Sequence, residues 1–146
     1  MNLLKIHHFS FSVNNIEKAI FFYKNAFGYE LMFQENNMEK QIQSMTGIKN
    51  ITCNIAQMKN DKDSNIIELI EFKNFNNNKK IDYPIYPESS HVCFIVDNLS
   101  TMLEKIYNLG AIKLGEITKF ESGLCVYCKE PAGSFFEMEE LKKWIY

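Results

Sequence analysis

The apolar residues of this chain follow two periodicities in a fixed order, and the order runs twice. In "HHFSFSVNNI" Phe11 and Val13 alternate with polar positions, as on a strand covered on one face. Ile16, Ala19, Ile20, Tyr23 and Phe27 then recur at three- and four-residue steps, which predicts a helix entered at Asn14 or Asn15 and stopped at Gly28. Three strand-like runs follow: "YELMFQE", "ITCNIAQMK" and "NIIELIEF". The second pass starts at "HVCFIVDNL", takes Leu99, Met102, Leu103, Ile106 and Leu109 as a helix between Asp97/Asn98 and Gly110, and continues through "AIKLGEIT", "GLCVYCKE" and "SFFEMEEL". Each half therefore reads as a β-α-β-β-β module.

The two passes are copies. His8, Phe11, Val13, Asn15 and Ile16 recur as His91, Phe94, Val96, Asn98 and Leu99, eighty-three residues later. The last strands match at an offset of sixty-nine, Ile66–Leu69 against Phe135–Met138. The first half thus carries extra residues, expected in "NNMEKQIQSMTGIKN" and "KNDKDSN". A single domain over 1–146 is expected, with module one at about 4–73, a polar linker at about 74–88 and module two at about 89–141. The linker "KNFNNNKKIDYPIYPES" holds two prolines unsuited to a central strand. The tail "EELKKWIY" reads as either a short helix or an extended end.

Alternation sorts the faces. With Phe11 and Val13 toward the helix, His8, Ser10 and Ser12 face the other way; with Phe94 and Val96 inward, so do His91, Cys93 and Ile95. Ile67 and Leu69, and Phe136 and Met138, take the core side. Glu68 and Glu137 then share the histidines' face. One histidine on a strand is most often a satisfied strand residue. Four matched positions in two copies point instead to a divalent transition metal, with two imidazoles and two carboxylates as ligands and water completing the shell.

Composition excludes several classes. The 146 residues are 46% apolar and 23% charged with a net charge of −2, which leaves no electrostatic footprint for nucleic acid. All sixteen basic residues are lysines, so no guanidinium fork is present to clamp a phosphate or carboxylate. "MNLLKIHHFS" lacks a signal-peptide h-region, and no apolar run approaches the roughly twenty residues of a membrane span. Cys53, Cys93, Cys125 and Cys128 fit reduced thiols in a cytoplasmic protein. Cys125 and Cys128 point to opposite faces of a strand and do not share a metal.

From Ile6 to about Leu141 the chain resembles the vicinal oxygen chelate superfamily, on "HHFSFSVNNIEKAIFFYKNAFGYEL", "IIELIEF", "HVCFIVDNL" and "EPAGSFFEM". That superfamily includes glyoxalase I, methylmalonyl-CoA epimerase, extradiol dioxygenases, and fosfomycin and bleomycin resistance proteins. The resemblance implies an α+β fold, in which two βαβββ modules form a curled mixed sheet around a metal site with helices on the outer face. It places the ligands of one divalent ion (Ni, Co, Zn, Mn or Fe) on His8, Glu68, His91 and Glu137, and leaves His7 a bystander. A His/Glu/His/Glu set is most similar to glyoxalase I and close to the epimerase. It therefore implies a lyase or isomerase that moves a proton next to a carbonyl through a metal-stabilised enediolate. Glu137 is the first candidate base and Glu68 the second. The implied partner is a small carbonyl substrate, a thiol adduct or an acyl-CoA, and the implied assembly is a homodimer with its site either within one chain or across two. Two departures stand out: "EPAG" replaces the family's Asp-Pro-Asp-Gly turn, and no arginine is present to hold glutathione. The alternatives implied are a non-catalytic drug-binding protein of the same fold and, more weakly, an Fe(II) ring-cleaving dioxygenase using three of the four ligands.

Overall fold

A computed structural model describes residues 4–75 and 81–142. The chain divides into two compact units, residues 1–77 and 78–146.

The first unit runs β1 (His8–Ser12), α1 (Ile16–Phe27), β2 (Glu30–Met38), α2 (Lys40–Thr46), β3 (Thr52–Asn60) and β4 (Asp63–Lys73). Its mixed sheet has the order β1-β4-β3-β2, with β1 parallel to β4 and the other pairs antiparallel. α1 buries Ile16, Ala19, Phe22, Tyr23 and Ala26 against this sheet. There Phe11 stacks on Tyr23 at 5.7 Å, and Met58, Ile67 and Leu69 are fully covered. The helix begins where the Asn15 side chain accepts the Lys18 N–H at 2.9 Å. It ends at Gly28, whose φ of 74° suits a residue without a Cβ.

The second unit runs β5 (His91–Ile95), α3 (Leu99–Asn108), β6 (Ile112–Lys113), β7 (Thr118–Lys119), β8 (Gly123–Lys129) and β9 (Phe135–Leu141). Its sheet repeats the plan: β5 lies parallel to β9, and β9 antiparallel to β8, whose far side pairs with β6 and β7. α3 buries Leu99, Leu103 and Ile106. Asn98 caps it by accepting the Thr101 N–H at 2.8 Å. Gly123 sits where any Cβ would run into the Glu140 carbonyl of β9, so β8 and β9 approach as only glycine permits.

α1 and α3 each have a second cap from the last strand of their own unit. Glu71 on β4 accepts the Ile16 N–H at 3.4 Å, and Glu140 on β9 accepts the Leu99 N–H at 2.8 Å. Carboxylates there satisfy an orphan donor and meet the positive end of the helix dipole. This is a further matched pair at the offset of sixty-nine.

Two details differ from the sequence reading, and two more settle what it left open. The extra residues of the first half include a helix, α2. "AIKLGEIT" forms two two-residue strands interrupted around Gly115 instead of one. Phe94 and Val96 are half-buried, where the pattern had placed them in the core. The tail is extended through Leu141 as part of β9, and residues 143–146 lie outside the described ones, as do 76–80 of the linker. The "EPAG" turn is held from within: buried Glu130 accepts the Ala132 and Ser134 N–H groups at 2.6 and 2.8 Å, and Gly133 takes a φ of 107°.

Candidate functional site

The parallel pair β1/β4 sets Ser10 opposite Glu68, with His8 two residues earlier on the same face. His8 Nε2 stands 3.4 Å from Glu68 Oε1. The parallel pair β5/β9 sets Cys93 opposite Glu137, and His91 Nε2 stands 3.4 Å from Glu137 Oε2. The same diagonal is built twice, once in each unit.

That spacing fits a metal better than a hydrogen bond. N–H···O bonds cluster at about 2.7–3.2 Å. Imidazole and carboxylate ligands, each about 2.0–2.2 Å from one ion at angles near 90–110°, lie roughly 3.0–3.4 Å apart. Each pair therefore has the spacing of neighbouring ligands. Neutral imidazole nitrogen and carboxylate oxygen also suit first-row divalent ions. One pair is half a shell, since such ions take four or more donors. Among the described residues no three His, Cys, Asp or Glu side chains form a group disposed to hold a metal.

The two pairs differ in what supports them. In the first unit Gln57, opposite Glu68 across β3/β4, donates from Nε2 to Glu68 Oε2 at 2.7 Å. Its amide holds one carboxylate oxygen and leaves the other turned to His8. His7 Nδ1 lies 2.8 Å from His8 Nδ1, with the two rings edge to face. In the second unit the position opposite Glu137 is Tyr127, whose ring packs edge-on against His91 with centroids 4.8 Å apart. Burial first, and then the Glu137 carboxylate, pushes the Tyr127 phenol above its ordinary value. The Cys93 thiol is pushed up to about 12 by burial and then by Glu137, Glu139 and Cys125. Cys125, pushed up to about 11 by burial first, is in hydrogen-bond contact with Glu139 and Glu137. The negative field that adds to burial in keeping these thiols protonated also favours a cation beside Glu137.

α2 gives the first unit's face a wall. Ile42 packs with Ile51 and Cys53, and Ile70 closes on the same cluster. Ile70 lies two residues from Glu68 and on its side of β4. In the second unit no helix among the described residues covers the corresponding face. Exposed apolar side chains share these faces: Phe33 and Phe72 in the first unit, Ile95 and Tyr127 in the second.

Strand alternation finds His8 with Glu68 and His91 with Glu137, and the structure brings each pair together. It misses Gln57 and Tyr127, which act from the neighbouring strand and become visible only once the register is known. It also sets His7 aside, because adjacent strand residues diverge. His7 precedes the regular pleat of β1, so that rule does not govern it.

The family model of the Glyoxalase/Bleomycin resistance protein/Dioxygenase superfamily matches residues 5–138. The chain belongs to this superfamily. Among solved structures it is similar to a glyoxalase family protein from Bacillus cereus, with 23% identity, a TM-score of 0.77, and 97% of this chain and 96% of that one covered. It is also similar to a variant of the fosfomycin resistance protein FosX from Listeria monocytogenes, complexed with Mn(II) and 1S,2S-dihydroxypropylphosphonic acid. There the identity is 14% and the TM-score 0.66, over 97% of this chain and 94% of that one. An antibiotic-binding protein from Streptomyces matches at 15% identity and a TM-score of 0.62, over 97% and 99% of the chains. No curated protein matches the chain. These likenesses share the α+β fold of paired helices and mixed sheets seen here. No helix among the described residues is long and apolar enough to cross a membrane.

Proposed function

We propose that the chain is a metal-dependent lyase or isomerase that moves a proton next to a carbonyl in a small substrate, a thiol adduct or an acyl-CoA. The observation that carries this reading is the duplicated His–Glu diagonal, 3.4 Å in both units. His8, Glu68, His91 and Glu137 are the residues that would hold the ion. A bound divalent ion supplies Lewis acidity, polarising the carbonyl and stabilising negative charge as it develops on the oxygen. The manganese in the FosX complex supports such an ion on this fold.

The side chains divide the remaining work. Glu68 is anchored: its carboxylate is 9% exposed and held by the Gln57 amide. Glu137 is more open, at 22%, and its side-chain neighbours are an imidazole and a weakly donating thiol. Glu137 is therefore the base that takes the proton from the carbon beside the carbonyl and returns it, with Glu68 the second candidate. Exposed Phe33, Phe72, Ile95 and Tyr127 offer apolar surface to the substrate's remainder. Two pairs from two copies of the chain make a homodimer the assembly that this reading favours, in the reducing cytoplasm that four free thiols suit.

The test is metal analysis with solvent-deuterium exchange into methylglyoxal–thiol adducts and methylmalonyl-CoA, followed by NMR. Expected are one ion per site, its loss in His91→Ala, and loss of exchange in Glu137→Gln. Stoichiometric metal that survives both His8→Ala and His91→Ala overturns the ligand assignment. A second reading rests on the exposed apolar side chains beside the pairs and on the antibiotic-binding neighbour: a protein that sequesters an apolar small molecule. Tight binding of an aromatic ligand by metal-free protein, without exchange in either substrate, decides for it.

A further inference from the structure

His7 is bound up with His8 in a way that one half-site has and the other lacks. Two imidazole Nδ1 atoms at 2.8 Å require that one carries the proton and the other offers its lone pair. If His8 Nδ1 is the acceptor, then in the neutral ring Nε2 carries hydrogen and is closed to a metal. If His8 Nδ1 is the donor, Nε2 presents its lone pair toward Glu68 Oε1, 3.4 Å away. A lone pair facing a carboxylate is repulsive until a cation stands between them.

We propose that His7 is a positioning residue for the metal site, accepting the His8 Nδ1–H and so holding His8 in the tautomer whose Nε2 binds the ion. The inference rests on the metal reading above. A metal-bound imidazole is ordinarily oriented by an acceptor on its other nitrogen, and here that acceptor is the preceding residue's ring. The edge-to-face packing of the two rings, with centroids 5.1 Å apart at 87°, fixes the plane of His8 as well as its proton. The switch between the two tautomer pairs leaves both rings neutral, because each ring gives up a proton at one nitrogen and takes one up at the other. At the matched position before His91 the chain has Ser90, and His91 is instead packed against Tyr127. The first unit's histidine is therefore set by a hydrogen bond and the second's by ring contact.

The experiment is Co(II) titration of the full chain in competition with a chelator, read from the cobalt absorption bands, with thermal melting of the metal-free protein alongside. His7→Ala is expected to weaken Co(II) binding about 10- to 100-fold with the metal-free melting temperature unchanged. His7→Asn, whose Oδ1 sits where the Nδ1 acceptor was, is expected to restore most of the loss. His8→Ala is the control that separates the two ideas. If it leaves Co(II) binding intact, the metal reading fails and this inference fails with it. If His8→Ala abolishes binding while His7→Ala binds as the unaltered chain does, the metal reading stands and the role of His7 is overturned. A loss in His7→Ala that His7→Asn does not recover also overturns it.

Discussion

Gln57 holds Glu68 by the oxygen that His8 does not face: Nε2 donates to Oε2 at 2.7 Å, while Oε1 stands 3.4 Å from His8 Nε2. The carboxylate is nearly buried, so the amide is both its anchor and a main source of its solvation. Gln57→Leu leaves a buried charged oxygen without that donor. The expected cost is about 1–3 kcal/mol of unfolding free energy in metal-free protein, read by urea denaturation. Tyr127→Leu, at the matched position, removes a ring contact from a half-exposed histidine and is expected to cost less. Equal losses in the two variants contradict the difference drawn between the pairs.

The caps make a second comparison. Glu140→Ala removes one acceptor from the start of α3, for an expected loss of about 1 kcal/mol. Glu71 serves two donors, since buried Asn54 also gives Nδ2–H to it at 3.0 Å while accepting the Asn37 N–H. Glu71→Ala therefore frees a buried amide as well as a helix end, and roughly 2 kcal/mol is expected. Chemical denaturation of the two variants side by side ranks them.

Glu130 makes stability depend on pH in a stated direction. Burial raises its carboxyl above the ordinary 4.5, against the pull of the hydrogen bonds from Ala132 and Ser134. A group that binds its proton more tightly when folded contributes most below its unfolded pKa, and that contribution is lost as pH rises through the folded value. Glu130→Gln carries no titrating group. The stability of the unaltered chain relative to this variant is thus expected to fall as pH rises above 4.5 and then to level off. A difference that stays flat across about pH 4 to 8 refutes it.

Whether the four ligand candidates meet across two chains is testable by mixing. His8→Ala disables the first unit's pair and His91→Ala the second's. If a site draws one pair from each of two chains, a mixed dimer keeps one intact combination, and refolding the variants together regains Co(II) binding that neither has alone. If each chain completes its own site, every site in the mixture stays broken. Recovery is the expected result, measured by Co(II) absorbance after co-refolding.

The parts of this molecule that were readable in advance are those that period and repetition encode. Phe11 and Val13 mark the core side of β1, the spacing of Ile16 to Phe27 marks α1, and His8 finds its counterpart in His91 by simple offset. Glu68 and Glu137 follow because a strand has two faces. α2 was not readable, because seven residues with one buried apolar side chain, Ile42, show no period. The split of β6 from β7 depends on local pairing with β8 and has no signature in apolar spacing. Gln57 and Tyr127 reach their partners across strands, through a register that hydrogen bonding sets and composition does not. Glu130 stands out in the sequence only as a departure from the family's turn, yet its carboxylate holds that turn from within.

The supports of the two His–Glu pairs are local: Gln57 and His7 in one half, Tyr127 and the two thiols in the other. Two halves that share paired donors but differ in what surrounds them have two separate adjusting screws. Breeding such a protein for a new substrate can proceed one half at a time. Exchanging Gln57 and Tyr127 between the halves is the first edit that this separation allows.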